Sequence, residues 1–280
     1  MTDTTRNDTA RSDAARHDVW TEGEAYERYV GRWSRPVAEH FLDALAVPPG
    51  AAWLDIGCGT GALTRCILER HAPRQVVGID PSDGFIGYAR AQLRDHPQAG
   101  RADVRIGDAR ALPVDDGAFD VAVSGLVLNF IPDQPKALGE MRRAVRPGGC
   151  IAAYVWDYAG GMQMMRRFWD AASALDPQAR AHDEALRFAS CRPDPLRALF
   201  ANAGLRDITV AAIDVPTLFR DFNDYWSPFL GGQGPAPAYC MALPQDRREH
   251  LRERIRADLP VNSDGSIPLT ARAWMVRGVV

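Results

Sequence analysis

An apolar run, Trp53-Leu54-Asp55-Ile56, leads without a break into Gly57-Cys58-Gly59-Thr60-Gly61 and then into a helix-compatible stretch, 62–70. Three glycines at alternate positions between a strand and a helix leave the chain few options. Glycine alone tolerates the positive φ that such turns often require, and a side chain at Gly57 or Gly59 would hold a ligand away from the backbone. The segment predicts a ligand-binding strand–turn–helix, and a tight turn without a ligand is the other reading of the same residues. Its G-x-G-x-G spacing departs from the G-x-G-x-x-G dinucleotide fingerprint, which seats a pyrophosphate on a helix N-terminus. Asp55, at the entrance of the turn, would also repel a pyrophosphate while suiting a cationic or hydroxyl-bearing ligand.

The rest of the chain supplies the architecture around that turn. Apolar runs at 51–56, 75–80, 102–107, 119–124 and 150–156 read as strands, with helices at 83–95, capped by Ser82 or Asp83, and at 134–146, stopped by Pro147-Gly148-Gly149. Strands alternating with helices imply an α/β fold, a doubly wound, mostly parallel sheet covered on both faces, with ligands at the carboxyl ends of the strands. Before this core, residues 1–18 are polar with almost no apolar content and predict a disordered tail. Residues 19–50 carry aromatic and apolar residues at spacings of three and four and predict a helical cap. The core is expected over 51–215. A Pro/Gly- and aromatic-rich segment at 216–266 resembles an insertion or lid, and 267–280 returns as a final strand.

Three carboxylates fall at the expected ligand edge: Asp55 in the turn, Asp80 closing the second strand, and Asp108 in Gly107-Asp108-Ala109 after the third. A carboxylate closing the second strand accepts two hydroxyl protons at once and suits the ribose diol of an adenosine cofactor, and the next acid lies where it would meet an adenine amino group. Any one of these acids alone equally suits an exposed helix cap or turn. Their recurrence at three successive strand ends favours binding.

Composition narrows the classes. With 33 Lys and Arg against 36 Asp and Glu, a formal charge of -3, and arginines spread along the chain, there is no electrostatic footprint for nucleic acid. No apolar run approaches the roughly 20 residues that cross a bilayer, and the polar N-terminus is unlike a signal peptide, so neither membrane nor export is expected and the cytoplasm is the expected location. Five cysteines, at 58, 66, 150, 191 and 240, contain no C-x-x-C pair, which argues against a metal site or a disulfide framework.

With the glycine turn, Asp80, Gly107-Asp108-Ala109, Phe119-Asp120 to Ser124 and Pro147-Gly148-Gly149 in register, the chain resembles the class I S-adenosylmethionine-dependent methyltransferases. Within them it is similar to the type 11 group that includes the ubiquinone and menaquinone C-methyltransferases. The resemblance covers about 26–215, and Tyr26-Glu27-Arg28-Tyr29-Val30-Gly31-Arg32-Trp33-Ser34 looks like a helix that such enzymes place over the cofactor. It implies a Rossmann-like seven-stranded sheet with an antiparallel last strand, S-adenosyl-L-methionine as cofactor, and a small-molecule methyl acceptor.

Carried over by position, the resemblance implies that Gly57, Cys58, Gly59 and Thr60, with Asp55, face the methionine part of the cofactor. Asp80 takes the ribose hydroxyls, and Asp108, with Gly107 and the Ala109 amide, meets the adenine. Ile79, Pro81, Ser82 and Phe85 bound the adenosine pocket, Ser124 and Leu126 form the floor near the sulfonium, and Tyr26 and Arg32 close over it. Asn129-Phe130 departs from the histidine that relatives often carry there, which removes the obvious general base. Asp157, Tyr158 and His182 fit surface or packing roles better than that of a base.

Trp33, Trp156, Trp226 and Tyr239 are the candidate acceptor walls, since aromatic faces suit both a sulfonium and an apolar substrate; a core beneath a loop would use the same residues. A nicotinamide-dependent oxidoreductase and a non-catalytic cofactor-binding subunit are the alternative functions. Acceptor identity, the attacking atom and the oligomeric state stay open.

Overall fold

The computed structural model describes residues 31–232 and 234–280. Tyr26, the expected tail and the first part of the expected cap lie outside these. The described strands are β1 (Ala52–Ile56), β2 (Gln75–Asp80), β3 (Ala102–Ile106), β4 (Phe119–Gly125), β5 (Val145–Trp156), β6 (Arg206–Phe219) and β7 (Ile267–Val279). They form one sheet in the order β3-β2-β1-β4-β5-β7-β6. β1 to β5 pair in parallel, and β7 runs antiparallel to both β5 and β6.

Burial explains which residues became which strand. Every residue of β1 is buried and every residue of β2 except Gln75, as expected for central parallel strands covered on both faces. β6, at the sheet's edge, instead alternates, with Val215, Thr217 and Phe219 buried and Asp214, Pro216 and Leu218 exposed.

The described helices are α1 (Arg32–Leu45), α2 (Ala62–His71), α3 (Asp83–Leu93), α4 (Gln134–Ala144), α5 (Gln163–Leu175), α6 (Glu184–Arg187), α7 (Pro193–Asn202), α8 (Phe222–Trp226), α9 (Pro235–Ala242) and α10 (Gln245–Asp258). In α1, Val37, Ala38, Phe41, Leu42 and Leu45 form the buried stripe, and Phe41 meets the Tyr154 ring of β5 at 4.6 Å. Ser82 caps α3 by accepting the Phe85 amide at 3.3 Å, and Asp133 caps α4 by accepting the Lys136 amide at 3.0 Å.

Two boundaries differ from the sequence expectation. The core expected to end at 215 continues as β6 to Phe219, with Pro216 to Phe219 opposite Thr270 to Ile267. Proline marks a stop in a central strand, but an edge strand tolerates it because one row of its N–H groups has no partner to lose. The helix expected to 146 ends at Ala144, and β5 begins at Val145. Here Val145 pairs with Phe119 while Val121 pairs with Cys150, so the Pro-Gly-Gly stretch is accommodated as an irregularity within the strand.

The 216–266 segment packs as an aromatic unit against α5. Phe229 stacks on Phe168 at 4.6 Å, Tyr225 lies 5.5 Å from Phe229, and the Tyr225 hydroxyl donates to the Met164 carbonyl at 2.9 Å. Beside this cluster Glu184 is fully buried and accepts a hydrogen bond from the Trp169 indole, and its second oxygen has no partner. Burial pushes the Glu184 carboxyl up to about 7.

Between its usual value and about 7 the folded chain therefore holds a proton that the unfolded chain releases, and stability falls as pH rises through this window. Glu184→Gln keeps an acceptor for the indole and removes the titration. It is expected to flatten the fall in thermal midpoint between pH 5 and 7, measured by scanning calorimetry. An unchanged slope would show that the carboxyl is already ionised in the fold.

Candidate functional site

β2, β1, β4 and β5 end side by side, and their carboxyl ends wall a pocket of about 760 Å³, open solvent at its mouth included. β1 and its turn contribute Asp55, Gly57, Cys58, Gly59 and Thr60, with Ala62 and Leu63 from α2; Asp80 closes β2 and Phe85 comes from α3. Gly125, Leu126, Val127 and Phe130 come from the end of β4, Tyr154 from β5 and Ser34 from α1.

The glycine turn is held from both sides. Gly57, Gly59 and Gly61 have φ of 71°, 52° and 86°. The amides of Gly57 and Cys58 donate to the Ile79 carbonyl at 2.7 and 3.1 Å, which ties the turn to β2. A Cβ at Gly57 would stand 2.3 Å from Val127 Cγ1, so the close approach of the β1 and β4 loops depends on its absence. Leu126 adopts φ 61°, and its amide donates to the Tyr154 carbonyl at 2.8 Å. A left-handed leucine held this way is stored backbone strain at a pocket wall.

Asp80 accepts the Gly59 amide on one oxygen at 3.0 Å and the Ser82 amide on the other at 2.9 Å. The acid that closes β2 thus buttresses the turn that follows β1, while each oxygen keeps lone-pair capacity for a further donor. Burial raises its carboxyl, and the two amides work against that rise. Asp55 is fully buried; Thr64 donates to one of its oxygens at 2.7 Å, and the other has no hydrogen-bond partner. Burial pushes Asp55 up to about 7, with the nearby Asp80 adding to the rise and Thr64 opposing it. Cys58 is buried, and its thiol is pushed far up by the same desolvation, so it stays neutral.

Of the residues singled out from the sequence, the structure brings Asp55, Gly57, Cys58, Gly59, Thr60, Asp80, Phe85 and Leu126 together in one pocket. Asp108 follows β3 at the same edge of the sheet, but its carboxylate is held by Arg110, whose Nε donates at 3.0 Å and Nη2 at 2.6 Å, and Arg110 keeps it down at about 2. Neither Asp108, Gly107 nor Ala109 lines the pocket. Ser82 serves as the α3 cap and as a donor to Asp80, Pro81 is exposed, and Ser124 is buried in β4 behind the pocket-lining Gly125.

The candidate acceptor aromatics and the lid-side cation lie elsewhere. The Arg32 guanidinium sits 4.4 Å from the Trp33 ring and 4.7 Å from the Phe219 ring, and it pairs with Asp224 at 3.0 Å. Trp156 is buried at the end of β5, Trp226 packs on Phe229 at 5.9 Å, and Tyr239 packs on Trp169 at 5.3 Å. Asp157 is taken by the Gly160 and Gly161 amides at 3.2 and 2.7 Å, and His182 lies exposed against Tyr239 at 5.5 Å.

Sequence reasoning did not single out Ala62, Leu63, Gly125, Val127, Phe130 and Tyr154 as lining residues, and Ser34 entered it only as part of the helix expected over the cofactor. Only Gly125, directly after a predicted strand, carried a local signal.

Residues 54–153 match a family model described as a methyltransferase domain. The chain is 32% identical over 170 residues to the malonyl-[acyl-carrier protein] O-methyltransferase of Pectobacterium atrosepticum, covering 60% of this chain and 62% of that protein. It is 28% identical over 199 residues to the demethylmenaquinone methyltransferase of Lysinibacillus sphaericus, covering 67% of this chain and 82% of that one. Three curated relatives are matched over 31%, 49% and 62% of their own lengths, so the chain spans about half of such proteins. Among solved structures, Haemonchus contortus phosphoethanolamine N-methyltransferase 2 in complex with S-adenosyl-L-methionine superposes with a TM-score of 0.57 at 18% identity, over 91% of this chain and 56% of that one. That likeness is one of fold.

Proposed function

We propose that this chain, whose residues 54–153 match a methyltransferase-domain model, binds S-adenosylmethionine across the carboxyl ends of β1, β2 and β4 and passes its methyl group to a small, partly apolar acceptor. One arrangement carries this reading: the positive-φ glycine turn and Asp80 clamp one another at the mouth of a pocket whose far wall is apolar.

The residues fit such a donor. Asp80 retains acceptor capacity for the ribose hydroxyls, and Phe85 bounds the adenosine end. Asp55 presents a buried carboxylate oxygen with no partner, which suits a ligand bearing cationic groups. Once bound, the donor supplies a methyl group on a cationic sulfur that is already a good leaving group. The chain's own work is then to orient, to hold the acceptor in line and to keep water out. Leu126, Val127 and Phe130 give the apolar surface for that exclusion.

The nicotinamide alternative expects a strand order of 3-2-1-4-5-6 with G-x-G-x-x-G. Here an antiparallel β7 is inserted between β5 and β6, and a carboxyl lies beneath the turn. Two relatives are named for malonyl-[acyl-carrier protein] and demethylmenaquinone, which are unlike acceptors, so the acceptor is argued from this chain's own pocket. Titration calorimetry with S-adenosylhomocysteine and, separately, NAD is the test. Binding of the first and not the second is expected, and the reverse would overturn the proposal.

Asp55 also predicts a pH dependence. Its carboxyl ionises near 7, and the ionised form is the one a cationic ligand prefers, so donor affinity rises with pH through that value. Asp55→Asn should weaken binding and leave it insensitive to pH across the same interval. Calorimetric titrations with S-adenosylmethionine on either side of pH 7 measure both effects, and a flat wild-type profile would sink the idea.

A further inference from the structure

We propose that a cleft at the opposite end of the sheet, at the amino ends of β1, β2, β4 and β5, is a second binding site, for a small molecule that carries a phosphate group on an apolar body, with Arg74 and Arg277 holding the phosphate.

The cleft encloses about 790 Å³, open solvent at its mouth included, and shares no described lining residue with the pocket at the carboxyl ends. Residues 45–51, which link α1 to β1, form one side, and the first residues of β4 and β5 form another. Arg74 enters just before β2, and Arg277 comes from near the end of the antiparallel β7. The site therefore lies at the last turn of α1, one 14-residue helix, about 20 Å, from Gly31 where the described residues begin.

Three guanidinium groups line this cleft, those of Arg74, Arg146 and Arg277, and Asp120 is the carboxylate among them. That local positive charge stands on a chain whose formal charge is -3. Asp120 is committed elsewhere. One of its oxygens accepts the Ala52 amide at 2.8 Å and the other the Arg146 Nε at 2.6 Å, and these bonds hold its carboxyl below the usual range. Arg74 stands 3.8 Å from the same carboxylate, outside hydrogen-bond reach, with 64% of its side chain exposed. Arg277 is half-buried and donates one N–H to the Leu45 carbonyl at the end of α1, at 3.4 Å. Cys150 beside it adds no charge, because burial pushes its thiol up.

Both arginines are carried on fixed backbone. The Arg74 amide donates to the Ala51 carbonyl at 2.9 Å and the Gly50 amide to the Ala72 carbonyl at 3.0 Å, which ties the 45–51 link to the residues before β2. Arg277 sits within β7, opposite Ala152 of β5 and Thr209 of β6. The irregularity between Val145 and Cys150 brings Arg146 to the cleft, where it takes up Asp120.

The ligand class follows from these groups. A guanidinium presents parallel N–H groups that match the oxygens of a phosphate, and two of them on separate elements suit a dianion better than a singly charged carboxylate. Val47, Pro48 and Pro49 stand beside them as an apolar wall, the two prolines exposed and fixed in φ by their rings. A phosphate ester with an apolar body meets both surfaces at once.

Titration calorimetry of the full chain at about pH 8, where a phosphate monoester is a dianion, tests this with phenyl phosphate and inorganic phosphate as probes. The wild type should bind both, and phenyl phosphate the more tightly. Arg74→Gln and Arg277→Gln should each weaken both by about tenfold, as for loss of a hydrogen bond to a charged group. Arg94→Gln, at an exposed arginine after α3 that lines neither pocket, should leave both unchanged. Thermal midpoints of the four proteins control for folding, and Arg74→Gln keeps the test decisive should Arg277→Gln, which alters the bond to α1, fail to fold.

No binding of either probe by the wild type, or losses in Arg94→Gln equal to those in the other two variants, would overturn the site. Equal affinity for the two probes would overturn the ester in favour of the free anion. None of these readouts involves the pocket at the carboxyl ends, so they stand whatever that pocket binds.

Discussion

Gly57→Ala is expected to lower stability by about 2–5 kcal/mol and to weaken S-adenosylhomocysteine binding by more than tenfold. Two costs add. The residue holds φ 71°, where a Cβ costs about 1–2 kcal/mol, and that Cβ would stand 2.3 Å from Val127 Cγ1 and 2.8 Å from Val127 Cβ. Overpacking of this kind costs a further 1–3 kcal/mol or so. Val127 lines the pocket, so its displacement reaches the ligand directly. The two costs separate in part in Gly57→Ala/Val127→Ala, which removes the overlap with the Val127 methyl groups and keeps both the 2.8 Å approach to the Val127 Cβ and the strain, and this double variant should recover part of the lost stability and affinity. Thermal melts and calorimetric titration of the three proteins measure it, and a single variant that melts and binds like the wild type would refute the packing argument.

Asp80→Ala should weaken donor binding by about 1.5–3 kcal/mol, tenfold or more, through loss of a charge-assisted acceptor. The structure adds a second route to the same loss, since Asp80 also holds the Gly59 and Ser82 amides and the substitution frees the glycine turn. A cycle separates the routes: S-adenosylhomocysteine and an analogue lacking the ribose hydroxyls, each titrated into wild type and variant. If Asp80 takes the diol, the analogue loses affinity on the wild type and little more on Asp80→Ala. Equal losses for both ligands on the variant would leave Asp80 as a buttress of the turn alone.

The sequence exposed the adenosyl side of the site because that side is local. A strand, an alternating glycine turn and a helix follow one another within 20 residues, and each strand-closing acid is read from the strand it closes. Asp80 was legible in this way, although its bond to Gly59, 21 positions away, was not. Asp108 shows the limit of the approach. Its position after a strand matches the pattern, but Arg110, two residues on, claims the carboxylate in the fold. The aromatics marked as acceptor walls show the same limit more broadly. Trp226 and Tyr239 lie in a segment whose composition suits a binding wall and a packed core equally, and the structure places them in the aromatic packing around α5.

By itself, then, the order of residues determined the alternation of strands and helices, the turn that only glycine can make, and the carboxylates at strand ends. Each of these follows from backbone sterics and burial over short spans of chain. Tertiary structure alone decided the β3-β2-β1-β4-β5-β7-β6 order, which sets Tyr154 of β5 beside Gly125 of β4 and brings Ser34 of α1 to the same pocket. Such neighbours are chosen by which faces must be covered, a demand of the whole core that no local stretch of sequence records.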